Sequence, residues 1–382
     1  MRVGSGSYIE TASQLAIGRN PRILTARTRI YLDHAATTPV LMPAQAAVAE
    51  ALARWANPSS PHAEGRAARA ALEEARGAIA EALGWRHDVI LTSGASEAIA
   101  IAAARAKLPR RLVGATEHDA VAAAVGANAT ILPVDSGGLI YLEALAEALA
   151  AGPALVAVQQ VNNETGVIQP LAEIFERVRA AGSLLLADCA QGAGKLPLPE
   201  SDFIAVSAHK LGGPPGIGAL LVKDIATLEP SGGQERGYRR GTENLPATKG
   251  FAAALQSRPF AEAMPKLTRL RSMVEETIVQ EGGIVVASSS ERVATIGGYA
   301  MPGVASASQL VQLDLAGFAV SAGSACSSGS LKPSRVLEAM GLPQEIAGCV
   351  VRVSFGPETS EEEVERFLAE WRRIKSRAKA AA

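Results

Sequence analysis

From residue 31 onward, short uninterrupted apolar runs alternate with longer alanine-rich stretches whose apolar positions recur at helical spacing. Such runs predict buried strands, and the periodic stretches predict amphipathic helices. Strands are predicted at residues 89–91, 112–113, 155–158, 184–187, 203–206 and 217–222. Helices are predicted at residues 62–83, 98–104, 144–151 and 171–181. Strands that alternate with helices predict an α/β fold, with a mainly parallel sheet and helices on both faces.

The pattern changes after about residue 251 and predicts a second, smaller domain. Helical stretches at 261–281 and 361–378 flank short strand-like runs at 292–299 and 350–355, which is typical of an α+β unit. We therefore predict a large α/β domain over 29–255 and a small α+β domain over 256–382.

Residues 1–28 have a different composition from the rest of the chain. Their charged side chains are four arginines and one acid, Glu10, and they contain no apolar core long enough for a secretory signal. An organelle transit segment has a similar composition, but we expect an N-terminal extension that is poorly ordered or partly docked.

Composition limits the partners that the chain can have. Its 382 residues are 48% hydrophobic and 20% charged, which is typical of a globular protein with a large core. With 37 basic and 38 acidic residues, there is no charge excess that favours nucleic acid or an anionic membrane. The three cysteines do not form a disulfide framework, so we expect a cytoplasmic protein. The histidines are scattered and no Cys/His spacing fits a metal, so none is expected.

Polar residues follow several of the predicted strands. In parallel sheets the carboxyl ends of the strands meet at one edge, where ligands bind. We therefore expect the side chains that follow these strands to form one site. They are found at 93–97, 162–164, 188 and 209–210.

Lys210 and Asp188 together predict a pyridoxal phosphate site. A lysine amine forms a Schiff base with the cofactor aldehyde, and a carboxylate at the end of a buried strand keeps the pyridine nitrogen protonated. By contrast, Lys195 in Gly-Ala-Gly-Lys does not belong to a nucleotide-binding loop, because Leu196 replaces the required Ser or Thr and prolines follow.

A set of short motifs in a fixed order carries a family resemblance over nearly all of the chain after residue 30. The chain resembles the pyridoxal phosphate-dependent cysteine desulfurases of the class V aminotransferase group. The resemblance implies a fold-type I transferase that acts as a homodimer, with active sites at the subunit interface. The motifs lie at 31–39, 57–60, 93–97, 117–118, 162–166, 188–191, 207–210, 232–236, 240–244, 323–326 and 351–354.

Chemistry and the resemblance together suggest a role for each cofactor-binding residue. Lys210 is expected to be the covalent link and the base for the substrate α-proton, and His118 is expected to stack on the ring. The neutral amides of Gln191 and Asn163 suit the phenolic oxygen of the cofactor. The phosphate is expected at a helix N-terminus, with donors from its neighbours and, by resemblance, from the other subunit. These phosphate ligands are Ala95, Ser96, Ser207, His209 and Thr242.

Cys326 and Arg352 are the expected substrate-handling residues. Cys326 lies in a Gly/Ser-rich loop, where an exposed thiol has few packing partners and is available as a nucleophile. Arg352, between two valines on a predicted strand, is suited to bind the substrate carboxylate, with Asn163 beside it. The resemblance implies that L-cysteine becomes L-alanine, while its sulfur forms a persulfide on Cys326 for delivery to an acceptor protein.

Other functions remain open at this stage. A selenocysteine lyase, a kynureninase-like hydrolase or a class V aminotransferase would share Lys210, Asp188 and His118, and a non-catalytic cofactor-binding scaffold is a further alternative. Three positions depart from the usual family pattern. His34 stands where Asn is frequent, Pro215 where Lys is common and Pro357 where Arg is frequent. They leave the subgroup and the sulfur acceptor undetermined.

Overall fold

The computed structural model describes residues 29–54, 56–323 and 334–381. The predicted N-terminal extension, residues 1–28, and the segment that contains Cys326 therefore lie outside the described residues.

Three sheets organise the described part of the chain. The largest has seven strands in the order β2-β8-β7-β6-β5-β3-β4, a second has the order β12-β10-β9, and β1 pairs with β11. The strands are β1 (Ile30–Tyr31), β2 (Asp88–Thr92), β3 (Arg110–Gly114), β4 (Thr130–Leu132), β5 (Ala154–Gln159), β6 (Leu184–Asp188), β7 (Phe203–Ser207), β8 (Gly218–Val222), β9 (Ile284–Val285), β10 (Ile296–Ala300), β11 (Phe318–Ala319) and β12 (Val350–Ser354).

Helices cover both faces of the large sheet and surround the smaller ones. They are α1 (Met42–Ala53), α2 (Ala63–Ala82), α3 (Ala95–Arg105), α4 (Asp119–Val125), α5 (Leu142–Ala150), α6 (Leu171–Ala180), α7 (Leu245–Gln256), α8 (Pro259–Gln280), α9 (Ser306–Leu315), α10 (Arg335–Ala339), α11 (Gln344–Ala347) and α12 (Glu361–Ala381). Among the described residues, no helix is both long enough and apolar enough to cross a membrane.

The central strands are buried on both faces, as their apolar runs predicted. Alternate residues of β5 enter different core clusters: Ala154, Val156 and Val158 pack in one, Leu155 and Ala157 in the other. Helices α2 and α6 contribute to the first cluster, and α3 contributes to the second. The predicted mainly parallel sheet with helices on both sides is thereby confirmed.

Strand β8 is the exception to the parallel arrangement, because it is antiparallel to both β7 and β2. Only residues 208–217 connect β7 to β8. A parallel return needs roughly a dozen or more residues for the crossover, so this short connection forces the chain to reverse. The connection begins with a 3₁₀ turn, Ala208–Lys210, which fixes Lys210 at the carboxyl end of β7.

The C-terminal region forms the antiparallel sheet β9-β10-β12, with α8, α9 and α12 packed around it. Strand β10 begins at Ile296, so the first residues of the run predicted at 292–299 precede it. Strand β1 pairs with β11, and Asp33 bridges to Ser354. Residues 30–33 thus hydrogen-bond to the C-terminal region, although the sequence assigns them to the large domain. The division at residue 255 stays a prediction.

Candidate active site

A cavity of about 570 Å³ opens at the carboxyl ends of the parallel strands. It is lined by segments that follow β2, β3, β5, β6 and β7, together with part of β12. Ten of the residues predicted from the sequence line it: Ala95, Ser96, His118, Asn163, Asp188, Gln191, Ser207, His209, Lys210 and Arg352.

Lys210 extends its amine across the cavity toward the first loop of the described chain. Its Nζ donates to the carbonyl oxygen of Ala35 at 2.5 Å and to that of Ala36 at 3.0 Å. Both carbonyls belong to the turn that follows β1. The 3₁₀ turn after β7 and the loop after β1 together therefore set the position of the lysine amine.

Asp188 ends β6 and is only 8% exposed. One of its oxygens accepts a hydrogen bond from the Ala190 amide at 2.9 Å. Burial raises the pKa of Asp188, although this hydrogen bond and the nearby His118 and Lys210 oppose the rise. The charged carboxylate is thus only partly compensated by its neighbours, and a further cation beside it would be stabilised.

His118 is the N-cap residue of α4. Its Nδ1 accepts a hydrogen bond from the Ala120 amide at 3.1 Å. The histidine therefore satisfies a helix end and lines the cavity at the same time. In the neutral ring an accepting Nδ1 leaves the proton on Nε2, which provides a donor away from the helix.

The N-terminus of α3 lies at the cavity beside the end of β7. Ala95 and Ser96 form its first turn, where backbone amides have no helical partner. At Gly218 a Cβ atom would lie 2.7 Å from Gly94 Cα and 2.4 Å from the carbonyl oxygen of Val206. Only glycine therefore lets β8 approach this turn so closely. Ser207, the last residue of β7, lines the cavity together with this helix N-terminus.

Glu97 also lies in the first turn of α3, where its charge would oppose a phosphate. Its carboxylate accepts from Arg239 Nε at 3.0 Å and from the Ser93 amide at 2.5 Å. These partners lower the pKa of Glu97 against the opposing effect of burial. The ion pair offsets the negative charge next to the helix end.

The two predicted amides are placed differently. The Gln191 side chain is buried, with its Nε2 donating to the Ala35 carbonyl at 2.8 Å and its Oε1 accepting from Lys195 Nζ at 3.4 Å. Asn163 lines the cavity, and its backbone carbonyl accepts from Arg352 at 3.0 Å. The contact with Lys195 was not predicted, because the sequence carries no signal for it beyond a basic residue after β6.

Arg352 reaches the cavity from β12 and is 6% exposed. One terminal nitrogen donates to Asp33 at 2.8 Å, and its Nε is buried without a hydrogen-bond partner among the described residues. Asp33 also accepts from Ser321 Oγ at 2.8 Å. The sequence identified the arginine but missed Asp33, whose signal was its place in the polar run after β1.

Glu164 is a second acid that sequence reasoning left without a role. Its carboxylate accepts from Ser334 Oγ at 2.6 Å, and burial raises its pKa. Gly323 and Arg335, on either side of the segment that contains Cys326, also line the cavity. Both ends of that segment are therefore close to the site, whereas Cys326 itself lies outside the described residues.

Thr242 is exposed and does not line the cavity of its own chain. Nearby, Glu235 is buried and forms a two-point ion pair with Arg76. Glu235 and Arg236 both have positive φ angles, 48° and 55°. The ion pair holds this strained turn against β2, and the Thr242 loop follows directly after it.

No metal centre is present within residues 29–54, 56–323 and 334–381, since no group of three or more His, Cys, Asp or Glu side chains there could hold an ion. The chemistry that the cavity offers is that of a lysine amine, a buried carboxylate, an imidazole, a helix N-terminus and a guanidinium. A pyridoxal phosphate group needs the same combination of partners.

Comparisons with known proteins identify the family to which the chain is similar. The profile of the Aminotransferase class-V family matches residues 30–367. Cysteine desulfurase IscS 1 of Archaeoglobus fulgidus is 34% identical, over 88% of this chain and 94% of that protein. An IscS-like cysteine desulfurase of Mycobacterium tuberculosis is 37% identical, over 88% of this chain and 94% of its own length. A solved NifS-like protein from Rickettsia africae superposes with a TM-score of 0.82 at 28% identity, covering 91% of this chain and 99% of that one.

Proposed function

Since the chain belongs to the cysteine desulfurases of the class-V aminotransferase family, we propose that its cavity binds pyridoxal phosphate through Lys210 and moves sulfur from L-cysteine to Cys326. The enzyme class and the desulfurase activity follow from the family. The cofactor, the roles of the individual residues and the route of the sulfur are the proposal. The observation that carries it is that Lys210, Asp188, His118 and the α3 N-terminus line one cavity.

The residues present fit the cofactor. Asp188 is buried beside a cavity and its pKa is raised, so a protonated ring nitrogen would supply the cation that the carboxylate lacks. The amides at the start of α3, with Ser96 and Ser207, supply donors for a phosphate. His209 lines the same region, and Gln191 and Asn163 are neutral, so neither amide adds charge beside the ring. When bound, pyridoxal phosphate supplies an electron sink for the pair left by the substrate α-proton.

Lys210 is the residue that moves that proton. Its Nζ already lies between two carbonyl oxygens at the cavity wall, and these acceptors hold the amine in one orientation. An amine held beside the substrate carbon removes a proton with little reorganisation. Arg352, with its unpartnered buried Nε, binds the substrate carboxylate, while Asp33 keeps the guanidinium in place.

Cys326 accepts the sulfur in this proposal. Its thiolate attacks the sulfur of the bound substrate, so that an S–S bond forms and the C–S bond breaks. The electron pair of the broken bond stays with carbon, which takes up a proton to give L-alanine. Gly323 and Arg335 lie on either side of the segment that contains Cys326, and both line the cavity. Their position supports this role.

Further features of the proposal concern assembly and delivery. We infer a cytoplasmic homodimer in which the exposed Thr242 reaches the phosphate of the neighbouring subunit. The persulfide then passes to an acceptor protein that serves iron-sulfur cluster, thio-cofactor or tRNA synthesis. The large domain, 29–255, holds the cofactor, and the small domain, 256–382, supplies Arg352 and Cys326.

Anaerobic mass spectrometry after exposure to L-cysteine tests the sulfur transfer. We expect a mass gain of one sulfur on the peptide that contains Cys326. Cys189→Ala and Cys349→Ala are the matched controls, because both thiols are buried, and each variant should still gain that sulfur. A sulfur found on another peptide, or full turnover by Cys326→Ala, would refute the assignment of the nucleophile.

Reductive trapping with borohydride tests the lysine. The wild-type protein should yield a cofactor covalently attached to the peptide that holds Lys210, and Lys210→Ala should yield none. A trapped adduct in Lys210→Ala would reject the lysine. Turnover compared on cysteine, selenocysteine and an amino acid with a keto acid separates the desulfurase from a selenocysteine lyase and an aminotransferase.

A further inference from the structure

A second lysine, Lys195, lies buried next to the site and has no role in the proposed reaction so far. Lys195 lies in the loop that follows β6 and is 7% exposed. The Nζ atom lies 3.4 Å from Gln191 Oε1 and 4.9 Å from the centre of the Phe260 ring. A buried amine with one amide oxygen and one ring face is weakly compensated, so its charge is easily lost.

Hydrogen bonds connect this lysine to the amine of Lys210. Lys195 donates to the Gln191 oxygen, and Gln191 Nε2 donates to the Ala35 carbonyl at 2.8 Å. The same carbonyl accepts from Lys210 Nζ at 2.5 Å. The carboxamide of Gln191 can adopt two orientations related by a flip, and the donor Lys195 and the acceptor Ala35 both favour the one that places its NH₂ on Ala35. Lys195 therefore helps to fix the orientation of the residue beside Lys210.

The surroundings of Lys195 disfavour its protonated form. Burial, followed by the charge of Lys210, lowers the pKa of Lys195 to about 7. Burial lowers the pKa values of His34 and His209 to about 4, with a further contribution from Lys195 at His34 and from Lys210 and then Lys195 at His209. The titratable groups around the two lysines are His34 and His209, with Asp33 next to His34 and Asp188 near Lys210, and the uncharged Phe260 ring faces Lys195 from α8.

Two ammonium groups in one buried cluster disfavour each other, so each proton on Lys195 makes a proton on Lys210 less stable. Since burial and the charge of Lys210 lower the pKa of Lys195 to about 7, Lys195 changes its charge near neutral pH.

We propose that Lys195 is a positioning residue of this active site, which orients Gln191 toward the Ala35–Lys210 contact and, when charged, favours the unprotonated form of the Lys210 nitrogen. This inference rests on the proposed function, because it assumes that Lys210 carries the cofactor. It assigns Lys195 no contact with the substrate.

The test compares Lys195→Arg, a permanent cation, with Lys195→Met, which keeps the length and apolar body but carries no charge. The readout is the pH titration of the absorbance of the cofactor-loaded protein, which reports protonation at the Lys210 nitrogen. We expect the midpoint of Lys195→Met to lie above that of Lys195→Arg by at least about half a pH unit. Coulomb's law gives a shift of roughly this size for a unit charge several ångströms away in a water-like dielectric. The wild-type midpoint should lie between them.

Lys223 provides a matched control elsewhere in the fold. Its Nζ also lies over a phenylalanine ring, 5.1 Å from the centre of Phe175, and it pairs with Glu200 at 3.0 Å. Lys223→Met and Lys223→Arg should leave the midpoint unchanged.

A second variant, Gln191→Leu, tests the hydrogen-bonded path from Lys195 through Gln191 to Ala35, because it removes both hydrogen bonds of that path. In this background the effect of Lys195 on the orientation of Gln191 is lost, so Lys195→Met should shift the midpoint less than it does in the wild type. If Lys195 serves only to pack on Phe260, the Arg and Met variants will titrate alike, and the inference is overturned even when both proteins fold and trap the cofactor. A wild-type protein that traps no cofactor on Lys210 would instead overturn the proposed function.

Discussion

The buried ion pair between Arg76 and Glu235 gives the sharpest prediction about stability. The Glu235 side chain is 1% exposed and that of Arg76 is 9% exposed. Two guanidinium nitrogens donate to the carboxylate at 2.5 and 2.9 Å, and the Leu91 amide donates to it at 2.8 Å. The pair therefore joins α2, β2 and the strained turn that precedes the Thr242 loop.

Glu235→Gln keeps the shape of the side chain and removes its charge. Breaking a buried pair by removing one partner costs about 3–5 kcal/mol, because the other charge is left uncompensated. Glu73 accepts from Arg76 Nε at 3.1 Å and remains as a second partner. We therefore expect a loss near the lower end of that range, about 3 kcal/mol, in the free energy of unfolding.

Equilibrium urea unfolding, followed by tryptophan fluorescence, measures this loss. The matched control is Glu361→Gln, which breaks the exposed Arg269–Glu361 pair, and exposed pairs contribute only about 0.2–1 kcal/mol. In the double variant Arg76→Met/Glu235→Met, neither charge of the buried pair remains and the part-exposed Glu73 keeps Arg69 as its partner, so the loss should be smaller than in Glu235→Gln alone. A loss in Glu235→Gln no larger than that in Glu361→Gln would refute the reasoning.

Three further predictions concern the site. In the cofactor-free protein, Asp188→Asn should raise the free energy of unfolding at pH 7, because burial raises the pKa of Asp188 and the native state bears the cost of its charge. The gain should disappear as the pH falls below 3.8, the ordinary pKa of an aspartate, because the carboxyl is then protonated in the folded and the unfolded state. Urea titrations that show an equal gain at pH 7 and below pH 3.8 would contradict this prediction. Arg352→Lys should raise KM for L-cysteine by about tenfold or more, because the ammonium group cannot replace the guanidinium contact with the substrate carboxylate. The cofactor spectrum should be unchanged, and steady-state kinetics with an unaltered KM would argue against carboxylate binding. Gly356→Ala should lower the free energy of unfolding by about 1–3 kcal/mol, because its Cβ would lie 2.0 Å from His34 Cε1. In thermal unfolding, the additional substitution His34→Ala should relieve this loss, and strictly additive losses would disprove the contact.

Much of the fold could be predicted because it depends on local pattern. Each apolar run predicted for the large sheet coincides with a strand, although the run at 217–222 begins one residue before β8. A strand buried on both faces must be apolar at nearly every position. The convergence of Asp188 and Lys210 could also be predicted, because parallel strands end at the same edge of a sheet. Helices α4 and α7 were not predicted; α4 has seven residues, and two turns are too few to show a helical period in the sequence.

The amino-acid sequence alone determined the types of chemical group in the site and the strand ends on which they lie. The tertiary structure decided which groups meet across long stretches of chain. Arg352 binds Asp33 from 319 positions away, and Lys210 reaches Ala35 from 175 positions away. Such contacts depend on strand order and on the paths of loops, which no local pattern specifies. The link from Lys195 to Lys210 has the same origin, because only packing places Gln191 between the Lys195 amine and the Ala35 carbonyl that Lys210 also contacts.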